Sequence, residues 1–195
     1  INLDGTGLQE LASGILDPYG VAVDKQNQKV YWVDDNGNVS RVNADGSNPE
    51  IGIVNIPGGG LRAIDLDVAN NKMYFYEVMD EHIYSANLDG SNLDIVISDV
   101  YGYGIKVDVQ NGKLYFDDQA TKTFVRTNLD GSGMIVIEEF TSSTRVHGIE
   151  IDYEDGLVYW SSRGSKTISK ANLDGSGVEV VASNLGDPRG IFIKK

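Results

Sequence analysis

Residues 63–97 read AIDLDVANNKMYFYEVMDEHIYSANLDGSNLDIVI, and the alternation inside this stretch decides the fold. Ala63 to Asp67, Lys72 to Glu77, His82 to Asn87 and Leu93 to Ile97 are short runs of strand-forming residues with no helical periodicity. Between them stand Asn70-Asn71, Asp80-Glu81 and Asp89-Gly90-Ser91-Asn92. Asp-Gly with neighbouring Ser or Asn supplies the local hydrogen bonds and the positive φ that tight turns need. The stretch therefore reads as four antiparallel strands joined by hairpins.

The same pattern recurs along the chain. The hexapeptide NLDGSN at Asn87 has relatives beginning at Asn2 (NLDGTG), Asn43 (NADGSN), Asn128 and Asn172 (both NLDGSG), with steps of 41, 44, 41 and 44. A tyrosine followed by an aromatic residue recurs as Tyr31-Trp32, Tyr74-Phe75, Tyr115-Phe116 and Tyr159-Trp160. A short apolar strand ends at Asp24, Asp67, Asp108 and Asp152. Three markers hold one register, with four strands in each unit of about 42 residues, which is the arithmetic of a β-propeller blade. The alternation of 41 and 44 suggests an 85-residue double unit duplicated once.

VYWVD (Val30 to Asp34), preceded by an IKVD-type strand and followed by NLDGS-type turns, resembles the YWTD repeat of the low-density-lipoprotein-receptor class B family. The likeness covers essentially the whole chain. The third motif position reads Val33, Tyr76, Asp117 and Ser161, and the fourth reads Asp34, Glu77, Asp118 and Ser162. The resemblance implies an all-β propeller that closes with six blades and sits in an extracellular or secreted setting. It further implies a loop face that holds protein ligands, and fourth-position acids that tie neighbouring blades. Ser162 lacks that acid.

Composition narrows the function. The formal charge is −13, from 29 acidic against 16 basic residues, which argues against nucleic acid. No apolar run is long enough to span a membrane as a helix, so no insertion is expected. The absence of cysteine excludes disulfides, thiolate metal sites and a Cys nucleophile. The chain begins at Ile1 without Met, basic n-region or apolar h-region, so a processed or excised product is expected.

Counting strands gives four complete blades, near residues 20–54, 62–97, 103–138 and 147–182. Leu8 to Ala12 reads as an outermost strand whose blade is missing its beginning. Gly190 to Lys194 reads as an innermost strand without a continuation. Together they would make a split blade lacking its two middle strands. A single propeller domain over residues 1–195 is expected to be a slice of a longer ring or one part of an assembly. Unpaired edges invite self-association, or a second chain that completes the blade.

The inner strands place Ala22, Asp65, Lys106, Glu150 and Phe192 toward the central channel, where Lys106 is expected to bridge Asp65 or Glu150. One acid ahead of a glycine in each NLDG turn is a poor calcium loop, and self-bonded turns explain all the copies. His82 and His147 stand at different strand positions, and no nucleophile-elbow motif supports a triad. No cofactor, metal or catalytic group is expected. Asn38-Val39-Ser40 fits a glycosylation sequon in an expected hairpin loop.

The loops entering the inner strands carry Tyr19, Arg62, Tyr101, Tyr103, Arg145, His147 and Arg189. The hairpins outside them carry Asp34, Asp35, Glu77, Asp80, Glu81, Asp117, Asp118 and Arg163. Aromatic and Arg residues inside a ring of acids resemble a protein-binding hot spot with its polar rim. The expected ligand set is Tyr19, Arg62, Tyr101, Tyr103, His147 and Arg189 at the centre, with Glu77, Asp117 and Asp118 steering a basic segment of a protein partner. The alternatives are a propeller hydrolase or lyase with its site at the channel mouth, and a structural repeat unit of an extracellular assembly.

Overall fold

In the computed structural model, residues 4–142 and 145–194 are described. Asn2 and Leu3 of the first hexapeptide lie outside them. The described residues form sixteen strands and no helix, so none is present that could cross a membrane as an apolar helix. The first sheet holds β1 (Pro18–Asp24), β2 (Lys29–Asp34), β3 (Asn38–Asn43) and β4 (Glu50–Asn55). The second holds β5 (Leu61–Asp67), β6 (Lys72–Glu77), β7 (His82–Asn87) and β8 (Asp94–Ile97). The third holds β9 (Ile105–Asp108), β10 (Lys113–Asp118), β11 (Thr123–Asn128) and β12 (Ile135–Glu139). The fourth holds β13 (Val146–Asp152), β14 (Leu157–Ser162), β15 (Thr167–Asn172) and β16 (Glu179–Ala182). Each sheet is a sequential antiparallel meander. The protein is a β-propeller of four-stranded blades.

The turns are built as their sequence requires. In each NLDG copy among the described residues the Asp carboxylate accepts from the backbone and hydroxyl two residues on, as Asp89 does from Ser91 at 2.9 and 2.6 Å. Gly90 has φ of 86°, and a Cβ there would collide with the Ile53 carbonyl of the preceding blade. That residue is glycine because the turn tucks under its neighbour. At the same end of the blades, Asp24, Asp67 and Asp108, which close inner strands, accept from the asparagine three residues on, as in Asn70 to Asp67.

The core lies between blades. Tyr31, Val33 and Val54 of the first pack against Leu61, Met73 and Phe75 of the second. Tyr74 and Tyr76 pack against Leu114 and Phe116, and Tyr115 and Phe124 against Trp160. The first aromatic of each pair thus faces the following blade and the second faces the preceding one. Tyr31 and Arg41 both donate to the Leu88 carbonyl, and 84 and 85 residues later Tyr115 and Arg126 both donate to that of Leu173. This alternation fits the 85-residue double unit.

Four expectations change. Leu8–Ala12 and Gly190–Lys194 form no strand, because neither has the two middle strands on which a ladder would build. They still lie against the first and fourth blades: the Gln9 side chain donates to the Asp45 carbonyl at 2.7 Å, and a Cβ on Gly148 would collide with the Arg189 carbonyl. Phe192 is 82% exposed and lines no packed channel. Trp32 is buried, but beneath the Ser13–Leu16 segment and not between blades. Asn38 opens strand β3, and its amide donates to both Asp34 carboxylate oxygens at 3.2 Å, so the sequon nitrogen is engaged rather than free in a loop.

Candidate functional site

The inner strands begin at one face of the propeller, and their entering residues surround a cleft of about 630 Å³. Tyr19, in β1, is 53% exposed, and the Arg62 guanidinium lies 4.2 Å from its ring centre. Arg62, in β5, also donates to Asp35 at 2.5 Å, which fixes the cation over the ring. Tyr103 precedes β9, and its ring centre is 5.1 Å from that of His147 in β13. Its hydroxyl shares a 3.0 Å hydrogen bond with that of Tyr101, which stands behind the cleft wall. Arg145, Arg163 and Arg189 complete the rim.

The floor carries Lys106, 3.5 Å from Glu150 and 3.8 Å from Asp65. The expected channel salt bridge is thus present on both sides. Burial holds the Asp65 carboxyl above its ordinary range, against the pull of Lys106. His147 behaves inversely: burial, then the charges of Arg189, Arg163 and Arg145, push its pKa down to about 4. Its Nε2 is buried, with no hydrogen-bond partner among the described residues.

Tyr19, Arg62, Tyr103, His147 and Arg189 therefore come together at one mouth, with Tyr101 as their support. The three acids do not join them. Glu77 is fully buried and accepts from the backbone of Gly60, Met79 and Asp80 at 2.7 to 2.9 Å. Asp117 is fully buried and accepts from Tyr103, Gly104 and Val146. Asp118 is buried and accepts from Ala120 and Thr121. Groups so enclosed present no steering charge to a partner, which corrects the expectation from sequence. Of the hairpin acids, those exposed are Asp35, Asp80 and Glu81.

The implied blade-tying role also moves by one position. Fourth-position acids secure their own hairpins, and Ser162 takes that place by accepting from the Ser165 backbone at 3.2 Å. Three of the four third-position residues make polar ties beyond their own blade, while Val33 packs in the apolar joint. Tyr76 donates to the Asp117 carbonyl at 2.8 Å, Asp117 accepts from Val146 of the next blade, and Ser161 donates to the Arg189 carbonyl. Residue type at this position is not shared between repeats, so no sequence motif marks the role.

Among the described residues, no group of three or more His, Asp or Glu side chains is arranged to hold a metal ion. What the site offers chemically is an aromatic and cationic cleft with one neutral imidazole.

Fold and site together define a β-propeller with a ligand-sized cleft at its channel mouth, and comparisons with known proteins agree on the fold. No family model matches the chain. An 88-residue stretch is 33% identical to Protein cueball of Drosophila sechellia and of Drosophila simulans. It covers 42% of this chain and 14% of those relatives' length. A crystal structure of a nidogen/laminin complex superimposes with a TM-score of 0.80 at 20% identity, over 89% of this chain and 67% of that one. A streptogramin B lyase superimposes with a TM-score of 0.71 at 18% identity, over 89% and 57% of the two chains.

Proposed function

We propose that the chain is a YWTD-type propeller module that binds a protein partner at the channel mouth and performs no catalysis. The observation that carries this reading is the cleft itself, where Tyr19, Tyr103, Arg62 and Arg189 converge. Aromatic and Arg side chains in a concave, partly dried site are what dominates protein interfaces. The YWTD motifs and the likeness to a propeller from a nidogen/laminin complex support the same reading. They also support an extracellular or secreted setting. Further blades, from a second chain or a copy of this one, would cover the open ends.

The test begins with a pull-down on the immobilised chain, followed by dissociation kinetics of the recovered partner. Tyr103→Ala should cost at least ~2 kcal/mol of affinity, mostly through faster dissociation. Asp130→Asn, in an outer turn of the opposite face, should leave the kinetics unchanged. Weakening by the control alone overturns the assignment.

A second reading, a lyase or hydrolase at the same mouth, is favoured by the His147 Nε2, which has no hydrogen-bond partner among the described residues, and by the likeness to streptogramin B lyase. Copurification of a divalent metal, or loss of stability in chelator, would support it over the first.

A further inference from the structure

The charge of the cleft opposes the charge of the chain. A protein of formal charge −13 gathers Arg62, Lys106, Arg145, Arg163 and Arg189 around one opening. Three of these cations are already matched: Arg62 by Asp35, Lys106 by Asp65 and Glu150, and Arg163 by Asp187. Among the described residues, Arg145 and Arg189 have no carboxylate within 4.0 Å, and both are exposed at the rim. His147 stands beside them, where burial first and then the charges of these arginines and Arg163 disfavour its protonation.

We propose that the cleft captures an acidic peptide segment of the partner, with its carboxylates meeting Arg145 and Arg189 and its apolar side chains resting against Tyr19 and Tyr103. This rests on the protein-binding reading above and reverses the basic segment expected from sequence. Guanidinium pairs with carboxylate through short, charge-assisted and often bidentate bonds. Ile105, Ile149 and Ile191 in the walls favour a peptide over an extended polyanion. The acidic remainder of the surface repels a polyanion outside this one opening.

The test is a selection of randomised displayed heptapeptides on the immobilised chain, run in parallel on Arg145→Gln, Arg189→Gln, Tyr103→Ala and Lys25→Gln. Lys25 is exposed at the far end of β1 and serves as a charge control. Each variant is first matched to the parent in thermal melting. Enriched peptides rich in Glu and Asp are expected, with affinity falling about tenfold in each arginine variant and unchanged in Lys25→Gln. Arg189→Lys should recover part of the loss. Enriched peptides that are neutral or basic, bind the arginine variants normally and still depend on Tyr103 would overturn the acidic segment while leaving mouth binding intact. No enrichment over Tyr103→Ala overturns both. Capture of a heparin hexasaccharide without acidic-peptide enrichment makes the cleft a polyanion site and also sinks the proposal.

Discussion

Trp32 and Trp160 occupy the same repeat position, second in the aromatic pair, yet they sit in different surroundings. Trp160 is fully buried against the preceding blade, with its ring centre 4.6 Å from that of Phe124 and its indole nitrogen donating to Glu138 at 2.7 Å. Trp32 faces a side where no blade precedes it and is covered by Ser13–Leu16. The inner strands repeat this contrast. Ile64, Ile105 and Ile149 are 6–8% exposed, whereas Val21 at the equivalent position is 62% exposed. A repeat motif thus specifies which way a side chain points, and the neighbouring blade decides whether it is buried. The flank of the first blade exposes apolar positions that the interior joints bury.

The largest expected effect separates the two tryptophans. Trp160→Ala removes a closely packed ring between blades and should cost roughly 3–5 kcal/mol in urea denaturation. Trp32→Ala should cost clearly less, because Trp32 already borders a cavity under Ser13–Leu16 and is not packed between blades. Equal midpoints for the two variants would mean that the flank is packed as firmly as an interior joint.

Asp117→Ala comes next. It strands three backbone donors, from Tyr103, Gly104 and Val146, at a joint between the third and fourth blades. Buried donors left unpaired point to a loss of about 3 kcal/mol by the same assay. Asp130 bonds only within its own exposed turn, so Asp130→Asn should leave the midpoint unmoved. If Asp117→Ala behaves like that control, Asp117 does not tie blades.

How far the sequence could be read follows the same contrast. Strands, hairpins and blade order were legible because period-two alternation and Asp-Gly turns are local, and local patterns repeat with the blade. The anchors Tyr19, Tyr103 and His147 were legible because each precedes or opens an inner strand, and Arg189 because it holds the matching place in the repeat. Glu77, Asp117 and Asp118 were misread because a carboxylate at a strand end looks the same whether it meets water or three backbone amides. The cationic balance of the mouth was hidden because Arg62, Arg145, Arg163 and Arg189 come from separate blades and loops, and only their convergence makes a field.

A smaller effect concerns the flank. Val21 and Val23 are 62% and 56% exposed, so changing both to Ser should alter stability by no more than about 0.5 kcal/mol. If this flank mediates self-association, sedimentation of the double variant should shift toward monomer. Replacing the exposed Met79, on a hairpin, should not shift it. Unchanged association in the Val variant would break the comparison between flank and interface.

The smallest effect is a pH dependence at the mouth. His147 titrates near 4 in the folded chain, against 6.5 as its ordinary value. Between these values the unfolded chain takes up a proton that the native imidazole refuses. The stabilising contribution is therefore complete above about pH 6.5 and is lost progressively as pH falls toward 4. Carboxylates titrate in the same range, so the measurement is the difference between the parent and His147→Gln. From about pH 7 to about pH 4.5, the parent should lose more stability than the variant. Arg189→Gln removes one of the three repelling charges, so the imidazole should titrate higher and the parent-like loss should shrink. Parallel stability curves for the parent and His147→Gln would mean that the imidazole is not held neutral, and that the arginines around the cleft do not concentrate charge where the ligand is proposed to sit.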